Sequence, residues 1–153
     1  MSVNHVENAI LKTDKIFKEA ETTWKNEFVE DALITEDEQK LLRAIEEKPK
    51  MLVKWEGRMI EVKKLKGFLK PEADKLYAKL YVDMLKNSEI NFTQRELEKQ
   101  IKANEEYIKI LRAIEKCDII ISEIESFLNH LRTLHWDVKN MIEIKKLIYG
   151  VTT

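Results

Sequence analysis

Residues 110–148 read ILRAIEKCDIIISEIESFLNHLRTLHWDVKNMIEIKKLI. Within them Ile110, Cys117, Ile124, Leu131 and Val138 recur every seven positions. Ile114, Ile121, Leu128 and Ile142 form a second lane, interrupted by His135, while Ala113, Ile120, Phe127, Leu134, Met141 and Ile148 form a third. Seven residues make about two turns of α-helix, so each lane follows one side of a single helix. Two lanes make a seam for one partner; three make a face too wide for one helix to cover. Other helices must therefore bury it. The expectation is that they come from further copies of the chain. That makes Ile114, Cys117, Ile121, Ile124, Leu128, Leu131, Leu134, Val138, Met141 and Ile142 the candidate oligomerisation residues.

The rest of the chain is also helical in pattern. Val6, Ile10, Thr13, Phe17, Ala20, Trp24 and Phe28 step by three and four, which predicts an amphipathic helix over 5–29 ending at Leu33-Ile34. Thr35-Glu36-Asp37-Glu38 has the spacing of a capping box, opening a short helix with Leu41, Leu42 and Ile45 inward. Pro49 should end that helix, and a third should run from about 50 to 87, weakened by Gly57 and Gly67 and kinked by Pro71. Residues 87–91 read as a loop and Thr93-Gln94-Arg95-Glu96 as a second capping box. From Gln94 to Tyr149 no Gly or Pro intervenes, so one helix of about 84 Å is expected, with a possible break at 129–133 and Gly150 as its C-terminal cap. The fold class is all-α: an elongated helical hairpin or bundle with a long C-terminal helix, assembling into a ring-shaped oligomer. Three regions follow, an acidic helical one over 1–50, a basic kinked helix over 51–92 and the oligomerisation helix over 93–153.

Composition removes several function classes. Three Gly and two Pro in 153 residues are too few for a loop-rich fold, and 36% charged beside 44% hydrophobic residues suits long amphipathic helices. The single cysteine, Cys117, lies in the apolar stripe and reads as a buried structural thiol, in keeping with a reducing compartment. The first ten residues lack a basic start followed by an apolar run, and no apolar run nears the roughly 20 residues of a bilayer span. A soluble intracellular chain with no membrane contact is expected. His130 and His135 are five apart and point to different sides of a helix, so no metal site is expected, nor any cofactor. Phosphate-loop and nucleophile-elbow motifs are missing, which argues against an enzyme.

Net charge is −1, but it is unevenly spread. Residues 1–47 carry 6 basic and 12 acidic side chains, 48–81 carry 10 and 4, and 82–153 carry 11 and 12. A polyanion feels local potential, so the basic middle matters. Lys63, Lys66 and Lys70 occupy one helical stripe with Lys64 adjacent, Lys75 and Lys79 follow, and Lys50, Lys54 and Arg58 form an earlier line. Trp55, Phe68, Tyr77 and Tyr81 are interleaved. Cations for phosphates beside rings for bases are the components of sequence-tolerant single-strand binding. The candidate phosphate contacts are Lys63, Lys64, Lys66, Lys70, Lys75 and Lys79; Trp55, Tyr77 and Tyr81 are the candidates for stacking. The plainer alternative is an oligomeric helical scaffold or adaptor without nucleic-acid binding. In that reading the acidic front, with Trp24 on its amphipathic helix, docks a basic partner.

The chain resembles the UvsY family of recombination mediators of tailed bacteriophages, most strongly over 51–150. The stretch VKWEGRMIEVKKLKGFLKPEADKLYAKLYVDML is similar to that family's aromatic start, basic helix and tyrosine-rich end. LRTLHWDVKNMIEIKKLIYG is similar to its long-helix ending, through Arg132, Val138-Lys139, Ile142 and Lys145 or Lys146 before glycine. It departs at Thr133-Leu134, where many relatives have glycine and an aromatic residue, and at Gly57 and Pro71. The resemblance implies a non-enzymatic, ring-shaped homo-oligomer of about six to eight subunits. It further implies action in the bacterial host cytoplasm. Such mediators bind single-stranded DNA and help a RecA-like recombinase displace single-strand-binding protein.

Overall fold

A computed structural model describes residues 2–32, 38–87 and 92–150. Their order is α1 (Ser2–Glu19), a π-helical turn (Ala20–Trp24), α2 (Lys25–Asp31), α3 (Glu38–Asn87), α4 (Gln94–Lys102) and α5 (Glu105–Ile148). The described chain is all-helical, without a strand. Leu33-Ile34, most of the Thr35–Glu38 box and the loop at 88–91 lie outside the described residues, as do the side chains of Leu41 and His135. No helix among the described residues is long and apolar enough to cross a membrane.

The chain forms two compact units, each built from non-contiguous segments. The first comprises Met1–Lys18 with Glu61–Ile120, and the second Glu19–Ile60 with Ile121–Thr153. In the first unit Ala9, Thr13 and Ile16 of α1, Val62, Leu69 and Ala73 of α3, and Ile110, Ala113, Cys117 and Ile120 of α5 are buried. Thr13 is fully buried and satisfies its hydroxyl by donating to the Ala9 carbonyl at 2.8 Å. Its Oγ1 also lies 3.9 Å from Cys117 Sγ, joining α1 to α5. Burial raises the Cys117 thiol pKa, as expected of a structural cysteine. In the second unit Trp24 and Trp55 are buried with Ile124, Leu128, Leu131 and Val138. Phe28 stacks on Phe127 at 4.1 Å between ring centres, and Trp55 meets Phe127 edge-on at 5.2 Å.

These contacts supply, from within the chain, the cover for half of the candidate oligomerisation residues. Cys117, Ile124, Leu128, Leu131 and Val138 are buried by the chain's own helices, and Ile114, Ile121, Leu134, Met141 and Ile142 are half-buried. Seven-residue spacing specifies a face that needs covering but not which molecule covers it.

Helix boundaries differ from expectation at three places. The first helix contains a π turn at Ala20–Trp24. Eight residues of pure α-helix from Ala20 to Phe28 would drift by about 80°; the wider turn absorbs that drift and keeps Phe28 on the side of buried Ala20, and Trp24 and Phe28, one ordinary turn apart, both meet Trp55. Second, α3 runs through Pro49 and Pro71 without ending. Both prolines are exposed, and the carbonyl that Pro71 leaves without a donor belongs to exposed Gly67, where water can bond it. Because α3 does not restart at Pro49, Leu42 keeps the register of Trp55 and lies about 140° round the helix from it. Leu42 is exposed, contrary to its expected inward position.

Third, the expected single helix from Gln94 is divided. α4 opens on the expected capping box: Thr93 Oγ1 accepts from Glu96 N at 3.3 Å, and Thr93 N donates to Glu96 Oε2 at 3.2 Å. It closes at Ala103, and Asn104 starts α5 by accepting the Tyr107 amide on Oδ1 at 3.1 Å. An asparagine followed by Glu105 and Glu106 is a helix start without any glycine or proline to announce it. Through 129–133 α5 continues unbroken, as expected of a run without Gly or Pro. Gly150 has φ +60°, the left-handed conformation of a C-terminal cap.

Candidate nucleic-acid interface

In the second unit Lys54 and Arg58 of the basic line of α3 are ion-paired, while Lys50 is exposed. Asp31, at the end of α2, accepts Lys54 Nζ at 2.7 Å and the Trp55 indole N–H at 3.0 Å. Glu27, one turn earlier, accepts Arg58 Nη2 at 3.3 Å. Arg58 Nη1 is 2.8 Å from Glu27 Oε2 but misaligned for a hydrogen bond, so that contact is an ion pair only. The guanidinium carbon lies 4.7 Å from the centres of both Trp24 and Trp55. Stacked cation, indoles and carboxylates strengthen one another where water is scarce. The Arg58 hydrogen bond, against a smaller effect of burial, holds the Glu27 carboxyl below its usual range.

Trp55 is 0% exposed and gives its N–H to Asp31, so it has no free face for a base. Its place among the stacking candidates is therefore corrected. An aromatic residue between two cations reads alike in sequence whether it is an anchor or a platform. Trp24 is buried too, and the acidic side chains beside it are occupied by Lys54 and Arg58. This weakens the expected use of that surface as a dock for a basic partner.

The remaining candidates all lie on α3 in the first unit. At about 100° per residue they fall into two rows some 150° apart. Lys63, Lys66, Lys70, Tyr77 and Tyr81 share one side; Lys64, Lys75 and Lys79 share the other. In the first row Lys63 and Lys70 are exposed, while Lys66 is ion-paired with Asp118 of α5. Tyr77 is half-buried edge-on to Tyr107 at 5.8 Å. Burial, with Glu98 nearby, raises its phenol pKa. Tyr81 is half-buried as well. In the second row Lys64, Lys75 and Lys79 are exposed, and Lys75 meets Glu72 at 3.3 Å. With 73% of its side chain in water, Lys75 is held only weakly by that pair. Lys63, Lys64, Lys70 and Lys79 make no ion pair among the described residues.

Two features were not among the sequence candidates. Phe68, in the second lysine row, is exposed, whereas the other described aromatic side chains of the first unit are half-buried. On α5 of the second unit Trp136, Ile144 and Leu147 are exposed on the side away from the buried lanes, and Ile148, the last residue of the third lane, is exposed as well. Among the described residues no three His, Cys, Asp or Glu side chains converge to hold a metal ion.

No family model matches the chain, and neither does any curated protein or solved structure.

Proposed function

We propose that this chain is a single-stranded-DNA-binding recombination mediator of the UvsY kind. The observation that carries the reading is the contrast between two stretches of α3. In the second unit Lys54 and Arg58 are matched by Glu27 and Asp31. In the first, Lys63, Lys64, Lys70 and Lys79 are exposed without such partners among the described residues. Exposed cations without a carboxylate partner keep their full attraction for phosphate. The resemblance over 51–150 supplies the biological setting: a RecA-like recombinase and single-strand-binding protein as partners, in the host cytoplasm.

Each copy offers only a few charges, so useful affinity needs several copies on one strand. A ring of about six to eight subunits would multiply the patch, since linked weak sites act at high effective concentration. Because the described lane positions before Ile148 are buried or half-buried within the chain, the surface proposed for self-association is the exposed end of α5 carrying Ile144, Leu147 and Ile148. Binding along such a ring would bend the strand, loosen the competing protein and hold sites open for the recombinase. No catalytic step belongs to this role.

Fluorescence anisotropy with a single-stranded oligonucleotide over a salt series tests it. Affinity should fall steeply with salt, by about 0.7 logarithmic units per tenfold salt for each phosphate neutralised. Lys63→Glu/Lys64→Glu/Lys70→Glu should flatten that slope. Absence of binding by the wild-type chain at low salt would refute the reading and leave the scaffold alternative standing.

A further inference from the structure

The row opposite the tyrosines contains an aromatic ring as well as cations. Lys64, Phe68, Lys75 and Lys79 lie within about 60° of one another around α3, with Phe68 one turn beyond Lys64. Phe68 is 39% exposed, enough to offer part of a ring face to water. Phe17, Tyr77, Tyr81, Phe92 and Tyr107, the other described rings of this unit, are half-buried. The core of α3 here is carried by Val62, Leu69 and Ala73.

We propose that Phe68 is a base-stacking residue, and that one strand follows this side of α3 with phosphates on Lys64, Lys75 and Lys79 and a base on the ring. The inference rests on the single-strand-binding reading and adds to it a second track with its own contact to bases. Every base has a π-face, so a phenylalanine platform is indifferent to sequence, as a mediator acting on any strand requires. Cations around the ring steer the strand, and the stacking contact is insensitive to salt because it releases no counterions. Glu72, which meets Lys75, borders the track and limits the charge available there.

The experiment compares two probes of equal length, oligothymidylate and an abasic strand, on wild type, Phe68→Leu, Phe68→Trp and Lys64→Glu/Lys79→Glu. Leucine keeps an apolar side chain at this position but removes the aromatic face. Phe68→Leu should weaken oligothymidylate binding about tenfold, leave the salt slope unchanged and leave abasic binding unchanged. Phe68→Trp should restore the loss, and the double charge reversal should flatten the slope for both probes. Equal effects of Phe68→Leu on both probes, no effect on either, or a change in sedimentation without a change in base preference would overturn the inference. The first two of those outcomes leave the single-strand-binding reading intact if the charge reversal still lowers affinity. Failure of the wild type to bind either probe overturns both.

Discussion

Asp31 and Glu27 show how single carboxylates decide the use of neighbouring residues. Asp31, with 14% of its side chain exposed, takes both Lys54 and the Trp55 N–H, turning an apparent cation–aromatic binding pair into a core anchor. Glu27 does the same for Arg58, and its folded pKa is lowered chiefly by the hydrogen bond from that arginine. A lowered folded pKa means stability that is fully present above the ordinary glutamate value of about 4.3 and lost as pH falls through the lowered one. Glu27→Gln should therefore be less stable than wild type at pH 7, by no more than about 1 kcal/mol for a pair with this much solvent. The two should converge toward pH 3. Urea midpoints followed by tryptophan fluorescence from pH 3 to 7 check this, and parallel curves would contradict it.

Helix continuity at element scale has a cost that packing offsets. Proline inside a helix costs about 3 kcal/mol relative to alanine, through a lost hydrogen bond and a clash with the preceding turn. α3 nevertheless continues through Pro71, with Leu69 and Ala73 buried on either side. Exposure of Pro71 and Gly67 lets water take the orphaned carbonyl. Pro71→Ala should raise the urea midpoint, by up to about 3 kcal/mol in stability, without changing the far-ultraviolet dichroism by more than a residue or two of helix. No gain in stability would mean that the helix is interrupted there. The turn at Ala103-Asn104 is the opposite case, a stop without a breaker, made by one asparagine side chain capping the next amide-rich turn.

For the whole molecule, covering α5 from within separates folding from assembly. Leu128 is 2% exposed, so Leu128→Glu would place an unpaired carboxylate in the second unit's core and cost several kcal/mol. Leu147 is 83% exposed, so Leu147→Glu should change stability by less than about 0.5 kcal/mol. Sedimentation velocity beside urea unfolding distinguishes their roles. Leu128→Glu should unfold early, while Leu147→Glu should retain its unfolding midpoint and sediment as smaller species. Early unfolding of neither variant would displace Leu128 from the core. Unchanged sedimentation of Leu147→Glu would remove the outer side of α5 from the proposed ring contact.

The amino-acid order alone determined that the described chain is helical, where the inward faces of its first and last helices lie, that Thr93 opens a helix and that Gly150 closes one. Periodicity, capping chemistry and glycine's tolerance of positive φ are local properties, readable within a few residues. Local order could not decide whether α5 is covered by its own chain or by another, because an apolar stripe has the same spacing in both cases. Nor could it distinguish Trp55, sealed by Asp31, from Phe68, partly exposed among lysines. That distinction depends on which distant carboxylates and rings arrive beside each position. Only tertiary packing, which pairs α2 with residues 54–58 of α3 and leaves 63–79 largely unmatched, settled which cations were spent in folding.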